Sequence, residues 1–144
     1  KYMQKYGFKV YPVNPKAKGQ KILGEEVFAK ITDINKSVDI VDVFRPSREV
    51  LDIAKDTIII GAKVLWLQLG IRNLEAKKVV EKNKIEYVEN KCTKMEYQSH
   101  FLNQIDPIRT LKKHALPLGP LHGENGSAHQ VLANRWCVNR HQLE

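Results

Sequence analysis

Four groups of residues in the first two thirds of the chain carry side chains suited to holding a polar ligand, and each follows an apolar run. Asn14-Pro15 closes Phe8-Lys9-Val10-Tyr11-Pro12-Val13, and Phe44-Arg45-Pro46 closes Val38–Val43. Gln68-Leu69-Gly70 closes Lys63–Leu67, and Lys91-Cys92 lies just past Ile85–Val88. Asn and Gln amides both donate and accept hydrogen bonds. A guanidinium fork suits phosphate or carboxylate. Glycine lets the backbone approach a ligand closely. A thiol flanked by Lys91 and Lys94 is favoured as thiolate by their positive charge.

This set offers binding rather than bond breaking. Residues 1–94 hold no histidine, no Ser/His/Asp set and no paired-carboxylate motif, so no catalytic residue is expected there. All five histidines, His100, His114, His122, His129 and His141, lie beyond Met95. The spacing of His122, His129, Cys137 and His141 fits no compact zinc pattern, so no metal site is expected.

The elements that position these residues alternate. Tyr2–Tyr6 reads as the end of a helix stopped by Gly7, and Phe8–Val13 as a strand. Pro15 to Gly19 is a loop, Ile22-Leu23-Gly24 a turn, and Glu25–Ala29 a brief helix. Val38–Phe44 has the β-branched density of a buried parallel strand. Asp39 and Asp42 interrupt it, which puts one of them near an end or loop. Ser47 is expected to cap a helix with Val50, Leu51, Ala54, Ile58 and Ile59 on one face, ended by Gly61. Lys63–Leu69 is the next strand. Asn73 caps a helix with the stripe Leu74, Ala76, Val79 and Val80, and Ile85–Val88 is a last strand. This β-α-β-α-β rhythm predicts an α/β fold with a parallel sheet and right-handed crossovers. Ligands bind such sheets outside the carboxyl ends of the strands, so the four groups converge on one crevice. From about Met95 the pattern breaks. A short helix fits Leu102–Leu116, and the remainder of residues 95–144 reads as an irregular tail.

A chain of 144 residues suggests one domain with a real core. No apolar stretch nears the roughly 20 residues needed to span a bilayer, no signal-peptide core opens the chain, and two cysteines make no disulfide framework. A cytoplasmic protein without membrane contact is expected. The net charge of +8 favours an anionic partner such as a phosphorylated ligand. The lysines are spread along the chain and no nucleic-acid motif appears, which argues against nucleic acid. No feature selects an oligomeric state.

Residues 7–94 resemble the small bacterial CoA-binding proteins of the YccU type, whose domain is similar to the CoA-binding domain of succinyl-CoA synthetase alpha subunits. The resemblance rests on Tyr11-Pro12-Val13-Asn14-Pro15, Asp39-Ile40-Val41-Asp42-Val43-Phe44-Arg45, Trp66-Leu67-Gln68-Leu69-Gly70-Ile71 and Lys91-Cys92, in order and at matching separations. It implies a Rossmann-like doubly wound sheet, three-layer α/β/α, holding coenzyme A or an acyl-CoA at its carboxyl edge without catalysis of its own. The cofactor-binding residues it implies are Asn14, Pro15, Lys16, Phe44, Arg45, Gln68, Gly70, Asn73 and Cys92, with Cys92 able to form a mixed disulfide with the CoA thiol. Such domains open with a strand and a glycine-serine phosphate loop. Here the chain begins inside the first helix, so an N-terminally truncated domain is expected, with a gap in the sheet between the Phe8 strand and the strand at Val38 or Lys63. Residues 1–94 then form the binding domain and residues 95–144 the tail.

Each residue also has a plainer role. Asn14-Pro15 is a turn pair, Lys16 and Lys18 are solvated, and Arg45 pairs with Asp42 or Asp39. Phe44 is core or pocket wall, Trp66 packs, and Cys92 closes the last loop as a small buried residue. Two other functions compete. One is the CoA-binding part of an ADP-forming acyl-CoA synthetase, which needs a ligase domain with a phosphorylated histidine. The other is a dinucleotide-binding redox domain, against which Asn14 counts, since an acidic residue is expected to hold the ribose hydroxyls.

Overall fold

The computed structural model describes residues 1–102 and 135–139. Five strands form a parallel sheet: β1 (Lys9–Val13), β4 (Ile40–Val43), β5 (Val64–Leu67), β6 (Glu86–Val88) and β7 (Arg135–Asn139). Their order is β1-β7-β4-β5-β6. A small antiparallel hairpin, β2 (Lys21–Ile22) with β3 (Glu25–Glu26), lies apart from it. The helices are α1 (Tyr2–Lys5), α2 (Val50–Ile59), α3 (Leu74–Lys82) and α4 (Thr93–Glu96), the last running into a π-helical turn at Tyr97–Leu102. Among the described residues no helix is long and apolar enough to cross a membrane.

The register explains the core. Val41 lies opposite Leu65 and Val43 opposite Leu67, so all four side chains share one face of the sheet. All four are fully buried. α2, which joins β4 to β5, covers them with Val50, Ile53 and Ala54, and α3, which joins β5 to β6, adds Ala76 and Val80. The two helices pack side by side. Each fully buried side chain of this size contributes roughly 1.5–3 kcal/mol. Gly61, at φ +67°, turns the chain out of α2 in a conformation that costs glycine little.

Several expectations change. Glu25–Ala29 is not helical. Leu23 (φ 53°) and Gly24 (φ 82°) form a tight left-handed turn that folds β2 onto β3, and Phe28 bridges to Val13. Ser47 does not cap α2. It opens a 3-10 turn, Ser47–Glu49, and its hydroxyl accepts from the Arg72 N–H at 3.2 Å. Asn73 does cap α3, its Oδ1 accepting from the Ala76 N–H at 2.8 Å. Leu74 and Ile59 leave their helical stripes and are 67% and 71% exposed, because the core contact is complete without them. Asp39 is the aspartate at the strand end, where it pairs with Lys63 at 2.7 Å. The helix expected over Leu102–Leu116 lies almost wholly outside the described residues, as do His114, His122, His129 and His141.

The tail is not irregular throughout. Arg135–Asn139 enters the middle of the sheet as β7, where a gap was expected. β1 and β4 do not pair with each other. Cys137 stands opposite Tyr11 on one side and Val41 on the other. An empty slot there would leave two rows of backbone N–H and C=O groups unpaired next to a buried core. A five-residue extended segment satisfies both rows.

Candidate functional site

Beyond the carboxyl ends of β1, β4 and β5 lie two cavities, and Val13 lines both. The larger has a volume of about 340 Å³. Its walls are mainly apolar: Met3, Val10, Pro12, Ile22, Leu23 and Phe44. Alternation along the strands sets this up. Val10 and Pro12 on β1 and Asp42 on β4 point away from the face that α2 and α3 cover. Over them, α1 is held by an aromatic cluster in which Tyr6 and Phe8 lie 5.1 and 5.3 Å from Tyr97, ring centre to ring centre, and Tyr2 lies 5.0 Å from Tyr6. This brings Tyr2 and Met3 to the cavity wall.

The floor of this cavity is polar and buried. Asp42 is 2% exposed, Thr93 6% and Gln68 7%. Gln68 Nε2 donates to Asp42 Oδ1 at 2.7 Å and to Thr93 Oγ1 at 2.8 Å. Thr93 Oγ1 lies 3.2 Å from Asp42 Oδ2. Among the described residues no cation pairs with Asp42. Burial pushes its carboxyl up to about 7, and the hydrogen bonds from Gln68 and Thr93 pull the other way. Cys92 borders the same cavity as a half-buried free thiol. Lys1 and Lys94 stand at the rim, with Lys94 Nζ 5.2 Å above the Tyr2 ring.

The smaller cavity, about 210 Å³, is charged. Pro15, Lys30, Arg45, Glu49, Asp52 and Asp56 line it, with Ile31 and Ile53 behind. Arg45 pairs with Glu49, one turn on, and not with Asp42 or Asp39 as sequence suggested. Its Nε donates to Glu49 Oε2 at 2.6 Å. Asp56 is pushed up by burial and by the like charges of Asp52 and Asp33, against the pull of Lys30.

The nine residues expected to bind ligand therefore divide. Asn14, Phe44, Gln68 and Cys92 meet in the larger cavity, and Pro15 and Arg45 in the smaller. Lys16, Gly70 and Asn73 line neither. The Asn14 Oδ1 accepts from the Lys16 N–H at 3.0 Å, which fixes the Pro15–Ala17 turn. The Gly70 N–H donates to Asn90 Oδ1 at 2.8 Å, and Asn73 Nδ2 donates to the Ser47 carbonyl at 2.9 Å. Tyr87 buttresses this loop: its hydroxyl donates to Glu89 at 2.8 Å and accepts from the Asn73 N–H at 3.1 Å, and burial pushes it up to about 12. Trp66 Nε1 donates to the Lys91 carbonyl at 2.7 Å and so holds the Cys92 loop against β5.

Sequence reasoning missed Asp42 and Thr93 as cavity floor. The signal was present for Asp42, because an acidic residue inside a β-branched run buried on both faces needs partners. It also missed Leu23, whose turn brings it to the wall.

The chain is similar to known proteins over this region. Residues 1–98 match the family described as CoA binding domain. The chain is 30% identical over 95 residues to the uncharacterized protein YneT of Bacillus subtilis strain 168, covering 66% of this chain and 69% of that protein. Among solved structures, a Thermus thermophilus protein is similar with 35% identity and a TM-score of 0.65, covering 67% of this chain and 72% of that one. A hypothetical protein from Pyrococcus horikoshii OT3 is similar with 32% identity and a TM-score of 0.64, over 67% of each chain. The strand β7 lies outside the matched residues. With the family matched across the residues that build both cavities, this chain belongs to the CoA binding domain family.

Proposed function

We propose that this protein is a cytoplasmic CoA-binding module of the YccU type that holds CoA or an acyl-CoA at the carboxyl edge of its sheet, with no catalysis of its own. The observation that carries the reading is the meeting of Asn14, Phe44, Gln68 and Cys92 in one cavity of a chain of this family. The binding unit is residues 1–94, with β7 completing the sheet. The Arg45 guanidinium has five donors, enough to keep Glu49 and still meet a phosphate. Pro15 lines that end of the crevice, and Lys16 follows it in the same turn. Gly70 and Asn73 shape the loop at its far side.

A thermal melt of the chain tests the reading. Free CoA at a hundred times its dissociation constant adds about 2.7 kcal/mol of stability. For a domain of this size the midpoint then rises by roughly 5–15 °C. NAD at the same concentration leaves it unchanged. A cooperative melt indifferent to CoA would count against the ligand, and one raised by NAD alone would favour a dinucleotide.

A further inference from the structure

The two cavities differ in what lines them. The smaller is charged throughout, with Lys30 and Arg45 beside Glu49, Asp52 and Asp56. The larger places its lysines at the exposed rim and a carboxyl at its floor. Its apolar walls, Met3, Val10, Pro12 and Phe44 among them, offer no hydrogen bond to an anion; among the described residues the polar groups on the wall are the Tyr2 hydroxyl and the Asn14 amide. Any negative group that reached the floor would lose its water and face Asp42, Gln68 and Thr93.

We infer that the larger cavity seats the thiol or acyl end of the ligand and accepts neutral acyl groups while rejecting acyl groups that end in a carboxylate. The inference rests on the CoA reading above and adds the class of acyl group. Asp42 itself reports how poorly this floor supports negative charge: burial pushes its carboxyl up to about 7 although two hydrogen bonds favour the ionised form. A second carboxylate brought beside it meets the same desolvation and, above neutral pH, the charge of Asp42 as well. Among the described residues the charged groups bordering the cavity besides Asp42 are Lys1 and Lys94. Lys94 is directed over the Tyr2 ring, and both lysines are exposed at the rim rather than at the floor.

Butyryl-CoA and succinyl-CoA have acyl chains of equal length and differ in the terminal carboxylate. Calorimetric titration of the full chain with CoA, butyryl-CoA and succinyl-CoA at pH 8 tests the inference. Butyryl-CoA is expected to bind at least as tightly as CoA, and succinyl-CoA at least ~10-fold more weakly, as for an unpaired charge taken out of water. Asp42→Asn narrows that gap by removing the floor charge. Phe44→Lys changes a wall residue that is 37% exposed, so it leaves the fold standing if the buried substitution does not. It supplies a cation and narrows or inverts the gap. Succinyl-CoA binding as tightly as butyryl-CoA, or a gap unmoved by Phe44→Lys, overturns the inference and leaves the CoA reading intact. Failure of all three ligands to bind removes both.

Discussion

The two faces of the central sheet are built on opposite terms. On one, Val41, Val43, Leu65 and Leu67 meet α2 and α3 and leave no polar atom to satisfy. On the other, one residue over along the same strands, stand Asp42, Trp66 and Gln68, whose polar groups find partners in Thr93 and the Lys91 carbonyl. The first face is closed by packing. The second is closed only in part, by α1, the β2–β3 turn and the start of α4, and a cavity remains between them and the sheet. A single strand of four residues, Ile40–Val43, thus supplies two fully buried core residues and part of the floor of the candidate site. The packed core and the polar floor of the candidate site are separated by one step of the strand period.

Leu67→Ala tests the closed face hardest. Leu67 is fully buried beneath α2 and α3, and truncation leaves a cavity in a packed interior. The expected loss is about 2–5 kcal/mol, read as a lower denaturant midpoint with an unchanged slope. A loss below about 1 kcal/mol would mean that this face is no better packed than the other.

Asp42→Asn is the matching change on the open face, and its signature is a pH dependence. Asp42 titrates near 7 folded and near 3.8 when exposed. Between those values the folded state holds the proton more firmly, so stability is greatest below about pH 4 and declines as pH rises through 7. Other carboxylates contribute slopes of their own, so the comparison is wild type minus variant. Asn keeps the shape and an acceptor oxygen but does not ionise. The variant should therefore gain on the wild type with rising pH, by on the order of a few kcal/mol between pH 5 and 8. Parallel stability curves for the two proteins across that range would show that Asp42 does not change its charge there.

Much of this contrast was legible in the sequence. The strand ends at Asn14, Phe44, Gln68 and Cys92 were found because short β-branched runs followed by Pro, Gly or amide residues mark parallel strands and their exits. The Asp42 network was not, because Thr93 and Gln68 are separated by 51 and 26 residues from their acceptor. A local pattern carries no trace of such partners. The Arg45–Glu49 pair, at helical spacing, was within reach, but Asp42 lies nearer still to Arg45 in the sequence. β7 escaped for a further reason. Arg-Trp-Cys-Val-Asn has three apolar residues in a row and no alternation, too short to separate from loop. What makes it a strand is the pairing offered on both sides by β1 and β4, which lie about a hundred residues earlier. The turn at Ile22-Leu23-Gly24 was legible, but the hairpin around it was not, because a non-glycine residue occupies its first left-handed position.

Cys92→Ser is the smallest expected perturbation of the fold and separates binding from reactivity on the open face. Cys92 occupies the N-cap of α4 without making a side-chain cap bond. Serine is a favoured N-cap, so lost burial of a half-exposed sulfur and a gained hydrogen bond offset each other, and stability changes by under ~1 kcal/mol. Reactivity changes completely. Oxidised CoA supplies its own leaving group: the Cys92 thiolate attacks one sulfur of the CoA disulfide, a protein–CoA disulfide forms, and one CoA thiolate departs. Peptide mapping of the wild type should show CoA on Cys92, released by a reducing agent, and the serine variant should show none at that position. The melt of the variant with reduced CoA should still rise, since its remaining contacts are unchanged. An unmodified Cys92 in the wild type, with the CoA-dependent melt intact, would make the thiol a wall of the cavity and nothing more.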